Sequence, residues 1–229
     1  MNFKYLKYRL SDEKIYFWVL VCASIVLLTG CVGIGGEQIA LSHETLTAPS
    51  QQFTEKLTVE KPAVDLRKEN DRIGRTTFTV FAISTGSVTT TSPVEEQIVE
   101  QIIDALSLLG YQVNKNTSSL ESTSTTIQPL ILKVALNEIW FKNYNWVFPI
   151  VPTWGDIKIT LFLENSSGKK LFEKSYEGGG NSLCLSGHCA FDSATKEAMT
   201  ELLNKINTDF SSQAVRDIII LNNKSELVQ

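Results

Sequence analysis

The chain has 229 residues, 43% hydrophobic and 20% charged, with 21 Lys and Arg against 25 Asp and Glu for a net charge of −4. That length suffices for one domain with a substantial core. An acidic chain without a basic run is a poor match for nucleic acid or for anionic lipid headgroups, and the two histidines sit near no Ser/Asp pattern that reads as a catalytic triad.

Met1 to Lys14 is net positive, carrying Lys4, Lys7, Arg9 and Lys14 against Asp12 and Glu13. Ile15 to Leu28 follows with no charge over 14 residues. The apolar core of a secretory signal runs about 7–15 residues, whereas a membrane-spanning helix needs about 20. The uncharged stretch continues through Gly36, so an N-terminal anchor helix with an incidental Cys31 stays open as the alternative. The flanking residues favour the signal. Leu28, Thr29, Gly30 and Cys31 resemble the lipobox of bacterial lipoproteins: a branched apolar residue, two small ones, then the cysteine. The resemblance implies cleavage before Cys31, with diacylglycerol on its sulfur and an acyl chain on its nitrogen. No other cofactor is expected. Val32 rather than Asp follows Cys31, which by enterobacterial sorting implies the outer membrane with the domain facing the periplasm. An inner-membrane anchor or the cell surface is the alternative. The part from Cys31 onward has 17 basic and 23 acidic side chains, a net charge of −6.

The organisation expected is therefore a signal over 1–30, a lipidated tether over 31–54 with a short strand near Gln38–Leu41, and a domain over 55–229. "KLTVEKPAVDLR" is an irregular strand pattern broken by Pro62. The β-branched and aromatic "RTTFTVFAIS" reads as strand, and "TGSVTTTS" as a loop. Ser92 to Gly110 reads as a helix with Pro93 in its first turn, a Ser92/Glu95 capping box and Gly110 just past its end. Val94, Ile98, Ile102, Leu106 and Leu109 form its apolar stripe. "YQV" is then a strand, and the polar "NTSSLESTSTT" a loop. "LILKVALNEIW" alternates as a strand with Leu130, Leu132, Val134 and Leu136 on one face. "DIKITLFLE" and "LFEKSYEG" form a hairpin through Gly168. Glycine-rich "EGGGNS" reads as a flexible turn. A last helix carries Phe191, Ala194, Ala198, Leu202, Ile206 and Phe210, and "RDIIIL" extends it or adds a strand. These elements predict an α+β two-layer domain: a mainly antiparallel sheet with two long amphipathic helices on one face.

Taken together, "LTGC", the helix ending "LLGYQV", "LILKVALNEIW", "DIKITLFLENSSGKKLFEKSYEGGG" and "ATKEAMTELLNKINTDFSS" resemble the YajG-like family of bacterial lipoproteins over about Val94 to Ser212. The resemblance implies a cell-envelope protein and brings no enzymatic motif with it. Two insertions depart from the pattern: "FKNYNWVFPIVPTWG" and "NSLCLSGHCA".

In the second insertion a Cys184–Cys189 disulfide is the simplest reading for an exported chain. A zinc site through His188 would need four ligands, and the only other histidine is His43, so no metal is expected. No nucleotide-binding, hydrolase or metalloprotease motif is present, so no enzyme is expected. The first insertion crowds ten aromatic, aliphatic and proline residues into Phe141 to Trp154, directly after Trp140. It either folds back as a lid over one end of the sheet or forms a contact surface. On the second reading Trp146, Phe148 and Trp154 face a partner or a membrane. The function expected is that of a non-catalytic, lipid-anchored envelope protein that binds an envelope protein partner. The alternatives are a carrier or chaperone of an apolar molecule, and a structural lipoprotein held by an uncleaved N-terminal helix.

Overall fold

The computed structural model describes residues 36–47, 52–78, 83–117, 130–144, 150–165 and 167–225. The expected signal over 1–30, Cys31, Trp146 and Phe148 lie outside them. The strands are β1 (Glu37–Ile39), β2 (Lys56–Lys61), β3 (Val64–Asp65), β4 (Gly74–Phe78), β5 (Ile83–Thr90), β6 (Gln112–Thr117), β7 (Ile131–Tyr144), β8 (Val151–Glu164) and β9 (Lys170–Cys184). The helices are α1 (Val94–Leu108), α2 (Gly187–Phe210) and α3 (Gln213–Ser225). The fold is α+β.

Strand β7 organises the sheet. One edge pairs antiparallel with β8 along its length, and β8 pairs antiparallel with β9. The other edge meets three short strands in turn, all parallel: β2 at Ile131–Leu132, β3 at Ala135–Leu136 and β4 at Phe141–Tyr144. Beyond β2 lies β6, and beyond β4 lie β5 and then β1. The sheet is thus mixed: five of the eight pairings are parallel, but they are short, and the three antiparallel pairings carry most of the paired residues. Alternation in a sequence reports which face is buried and carries no strand direction, so the parallel half was not legible there. The helices also depart from two rods on one face. Helix α2 packs on β7, β8 and β9, while α1 packs on β2 and β6 and touches α2.

Several local expectations change. "TGSVTTTS" enters strand β5 because β4 and β1 offer it ladders on both edges. Ser92 makes no side-chain cap on α1; instead Gln97 Nε2 donates to Ser92 O at 2.8 Å. The far end of α1 behaves as its glycine predicts. Gly110 has φ +97°, its N–H donates to Ser107 O, and Tyr111 N–H donates to Leu106 O, the paired bonds that close a helix end. "RDIIIL" belongs to the separate helix α3. Residues 36–47, expected in the tether, join the domain: β1 adds to the sheet, and Ile39, Leu41 and Leu46 are buried.

"EGGGNS" is not a turn. It lies inside β9, and its alternation has a purpose. Gly178 and Gly180 face α2 so closely that a Cβ would lie 2.0 Å from Ala198 O and 1.8 Å from Ala194 O respectively. Gly179, pointing the other way, would meet only Glu201 Oε2 at 3.7 Å. Small residues on both elements let helix and strand backbones approach. Around this contact Phe191, Leu202, Ile206 and Phe210 are fully buried.

Candidate contact surface at one end of the sheet

Two devices decide which side chains reach the outer face of the sheet. The first is a β-bulge in β7 between Leu136 and Glu138. Before it, Leu132, Val134 and Leu136 point into the core; after it, Ile139, Phe141 and Asn143 do. The extra residue changes the parity, so Trp140, Lys142 and Tyr144 are sent outward. The second is the β8 alternation. Val151, Thr153, Ile157 and Ile159 are buried, which turns Ile150, Pro152 and Trp154 to the outside.

Trp154 is 45% exposed, and its ring stacks on Tyr144 with centroids 5.1 Å apart. On the neighbouring strand Leu183 pairs directly with Pro152 and is 73% exposed, and Leu185 just beyond is 75% exposed. Ile150 is 41% exposed. One end of the sheet therefore presents Tyr144, Ile150, Pro152, Trp154, Leu183 and Leu185. Of these the sequence reading named Trp154 as a contact residue. Leu183 and Leu185 were missed because two leucines in a Ser/Gly/Cys loop form no pattern; only the pairing of Leu183 with Pro152 brings them beside the aromatics.

Cys184 and Cys189 form a disulfide that ties the end of β9 to the first turn of α2. Ser186 caps that helix, accepting from Cys189 N–H at 3.3 Å. His188 Nδ1 lies 3.3 Å from Glu37 Oε2, so β1 is pinned to the same helix end. The Glu37 carboxylate beside the helix N-terminus opposes its partial positive charge. Among the described residues no group of three His, Cys, Asp or Glu is placed to hold a metal ion.

Further along the same outer face, Trp140 lies beneath two guanidinium groups, Arg72 at 5.7 Å and Arg75 at 5.1 Å from the ring centroid. An open cleft of about 430 Å³ runs beside it, lined by Leu66, Arg67, Arg75, Glu138 and Trp140 among others. Arg67 is held rigid, donating to both oxygens of Asp65 at 2.9 and 2.7 Å. Burial would raise the Asp65 carboxyl, but the bonds from Arg67 outweigh it and hold it below its ordinary value. Leu66 and Val64 at this cleft's side of the sheet are both more than half exposed. Lys158 then gathers Glu138, Asp156 and Glu177 within 3.7 Å, and the hydrogen bonds it donates to Glu138 and Asp156 push its pKa up.

The free edge of β9 is covered by side chains of α2. Gly179 N–H donates to Glu201 Oε2 at 2.7 Å, Asn181 N–H to Glu197 Oε2 at 2.6 Å, and Lys205 Nζ donates to Glu177 O at 2.7 Å. These three residues, four apart on one helix face, satisfy edge groups that would otherwise template another strand.

No family model and no curated protein sequence matches the chain. A solved structure from Xanthomonas campestris, of the family DUF330, is similar over 79% of this chain and 97% of its own, with TM-score 0.52 and 12% identity. That likeness shows a shared fold. A candidate lipoprotein from Caulobacter crescentus aligns over 63% of this chain and 91% of its own at 13% identity, with TM-score 0.34, too loose an agreement to support an argument.

Proposed function

We propose that this chain is a lipid-anchored lipoprotein of the bacterial cell envelope, of YajG-like type and held in the outer membrane. On this reading its periplasmic domain works by binding an envelope protein partner and not by catalysis. The anchor rests on the Leu28–Cys31 sequence. The binding role rests on one observation: the outer face carries the Trp140 ring under Arg72 and Arg75, beside an open cleft flanked by exposed Leu66. Tryptophan and arginine in a partly enclosed site are the residue types that dominate protein–protein contacts. The carrier alternative would need an enclosed apolar cavity between helix and sheet, whereas Phe191, Leu202, Ile206 and Phe210 fill the space between α2 and the strands.

Two measurements test this. Mass spectrometry of the mature protein should find an acylated N-terminal Cys31; an intact Met1 or unmodified Cys31 refutes the anchor. A photo-crosslinking residue at Leu66 or Lys68 in intact cells should give a discrete protein adduct, weakened by Trp140→Ala. Adducts to lipid alone, or none at either position, refute the binding role.

A further inference from the structure

The first described residues run along α2 toward its N-terminal end. Glu44 N–H donates to Thr200 Oγ1 at 2.8 Å, in the middle of the helix. Seven residues earlier, Glu37 meets His188 in the first turn. Thr200 and His188 are about 18 Å apart along the helix axis, at 1.5 Å per residue. Followed back toward the N-terminus, the chain therefore leaves the domain at the end where the disulfide, Leu183 and Leu185 lie. Five residues lie between Cys31 and Glu37, a reach of about 20 Å over six steps when fully extended. A membrane attachment at or before Cys31 must hold that end of the domain against the bilayer.

The same end carries the exposed apolar side chains Ile150, Trp154, Leu183 and Leu185, with half-buried Tyr144 stacked on Trp154. Scattered surface leucines need no explanation, but these are gathered where the tether emerges. Tryptophan and tyrosine rings with aliphatic neighbours are the composition that settles at the boundary between headgroups and acyl chains. Lys142 pairs with Trp154, and among the described residues no basic cluster gathers there, so the contact is mainly apolar. We infer that this end is a membrane-docking surface, seated in the interface of the bilayer that holds the chain's own N-terminus. It fixes the domain's orientation and leaves the Trp140 cleft to the protein partner. The inference rests on the membrane-anchored part of the proposed function and is indifferent to whether acyl chains or an uncleaved helix supply the anchor.

The test uses the full mature protein in phosphatidylcholine vesicles with acyl chains brominated near the headgroup. In one variant Trp140 and Trp146 become Phe, leaving Trp154 as the only tryptophan after Cys31; in the other, Trp146 and Trp154 become Phe, leaving Trp140; Trp18→Phe is made in both genes so that an uncleaved N-terminal helix would add no emission. The expected result is that Trp154 emission falls by about half against unbrominated vesicles while Trp140 emission does not change, because interfacial side chains sit about 5–10 Å into the bilayer. Adding Leu183→Ser and Leu185→Ser should reduce the quenching while flotation with vesicles is unaffected. Flotation without quenching of Trp154 overturns the inference and leaves the anchored reading standing. Failure to float removes the anchored reading and the inference with it. A discrete protein adduct from a photo-crosslinker at Leu183 in intact cells also overturns it.

Discussion

Changing Gly180 to Ala tests the helix–strand contact at the centre of the domain. The new Cβ would lie 1.8 Å from Ala194 O and 2.8 Å from Ala198 N, both backbone atoms of α2, where ordinary contact begins near 3.4 Å. The helix would have to retreat by about 1.5 Å. It carries Ala194, Ala198, Met199, Leu202 and Ile206 into the core, so a retreat loosens a whole layer. Overpacking alone costs about 1–3 kcal/mol, and the opened gaps take the total to about 3 kcal/mol. Gly179→Ala is the internal control. Its Cβ meets only the end of the Glu201 side chain, so it should be neutral or stabilise by about 0.5 kcal/mol through lower unfolded-chain entropy. Urea unfolding of the two variants should therefore differ by about 3 kcal/mol, or about 6–12 °C in Tm for a domain of this size. Gly178→Ala should follow Gly180→Ala. Equal losses at positions 179 and 180, or shifts below about 0.5 kcal/mol at both 178 and 180, would refute the close-approach argument.

Three further outcomes follow from the same structure. Reducing Cys184–Cys189, or replacing both by Ser, closes one loop fewer in the unfolded chain and should cost about 2 kcal/mol in urea unfolding. The Glu201 carboxyl is held below its ordinary value by the Lys205 hydrogen bond and by Gly179 N–H, so its contribution is present above the usual carboxylate range and fades as pH falls through its folded value; the stability difference between Glu201→Gln and the parent should shrink on acidification from pH 7. Deleting Asn137 should remove the β7 bulge yet keep Ile139 and Phe141 facing the core, because Glu138 then follows Leu136 in regular alternation; the variant should unfold cooperatively, losing about 1 kcal/mol with the Thr160–Asn137 hydrogen bond, and a collapse of cooperativity would refute the parity argument.

Much of the fold was legible because burial leaves a period. The Val94–Leu109 stripe, the alternation of Leu130 to Leu136, the β8–β9 hairpin and the Phe191–Phe210 stripe all report a half-buried element through spacing alone. The failures share a cause. "TGSVTTTS" has no such period, and it is a strand because β1 and β4 flank it. "EGGGNS" has turn composition, yet its glycines serve an approach between elements distant in sequence. Residues 37–46 looked like polar tether until Ile39, Leu41 and Leu46 found neighbours. For the candidate surface, Trp154 stood out as an unusual residue, whereas Leu183 and Leu185 acquire meaning only from the strand pairing that sets them beside it.

The sequence by itself determined what depends on local chemistry. The charged start, the apolar run and the Leu28–Cys31 tetrad stand in one contiguous stretch, the cysteine pair lies five residues apart, and each amphipathic segment declares its buried face. Tertiary structure decided what depends on long-range pairing. It set the parallel direction of β2, β3 and β4 against β7, the bulge that sends Trp140 outward, and the placing of Glu37 on the first turn of α2. The physical reason is that side-chain period encodes which face is buried, while direction, register and the end at which a chain leaves the domain are settled by backbone hydrogen bonds to partners far away in sequence.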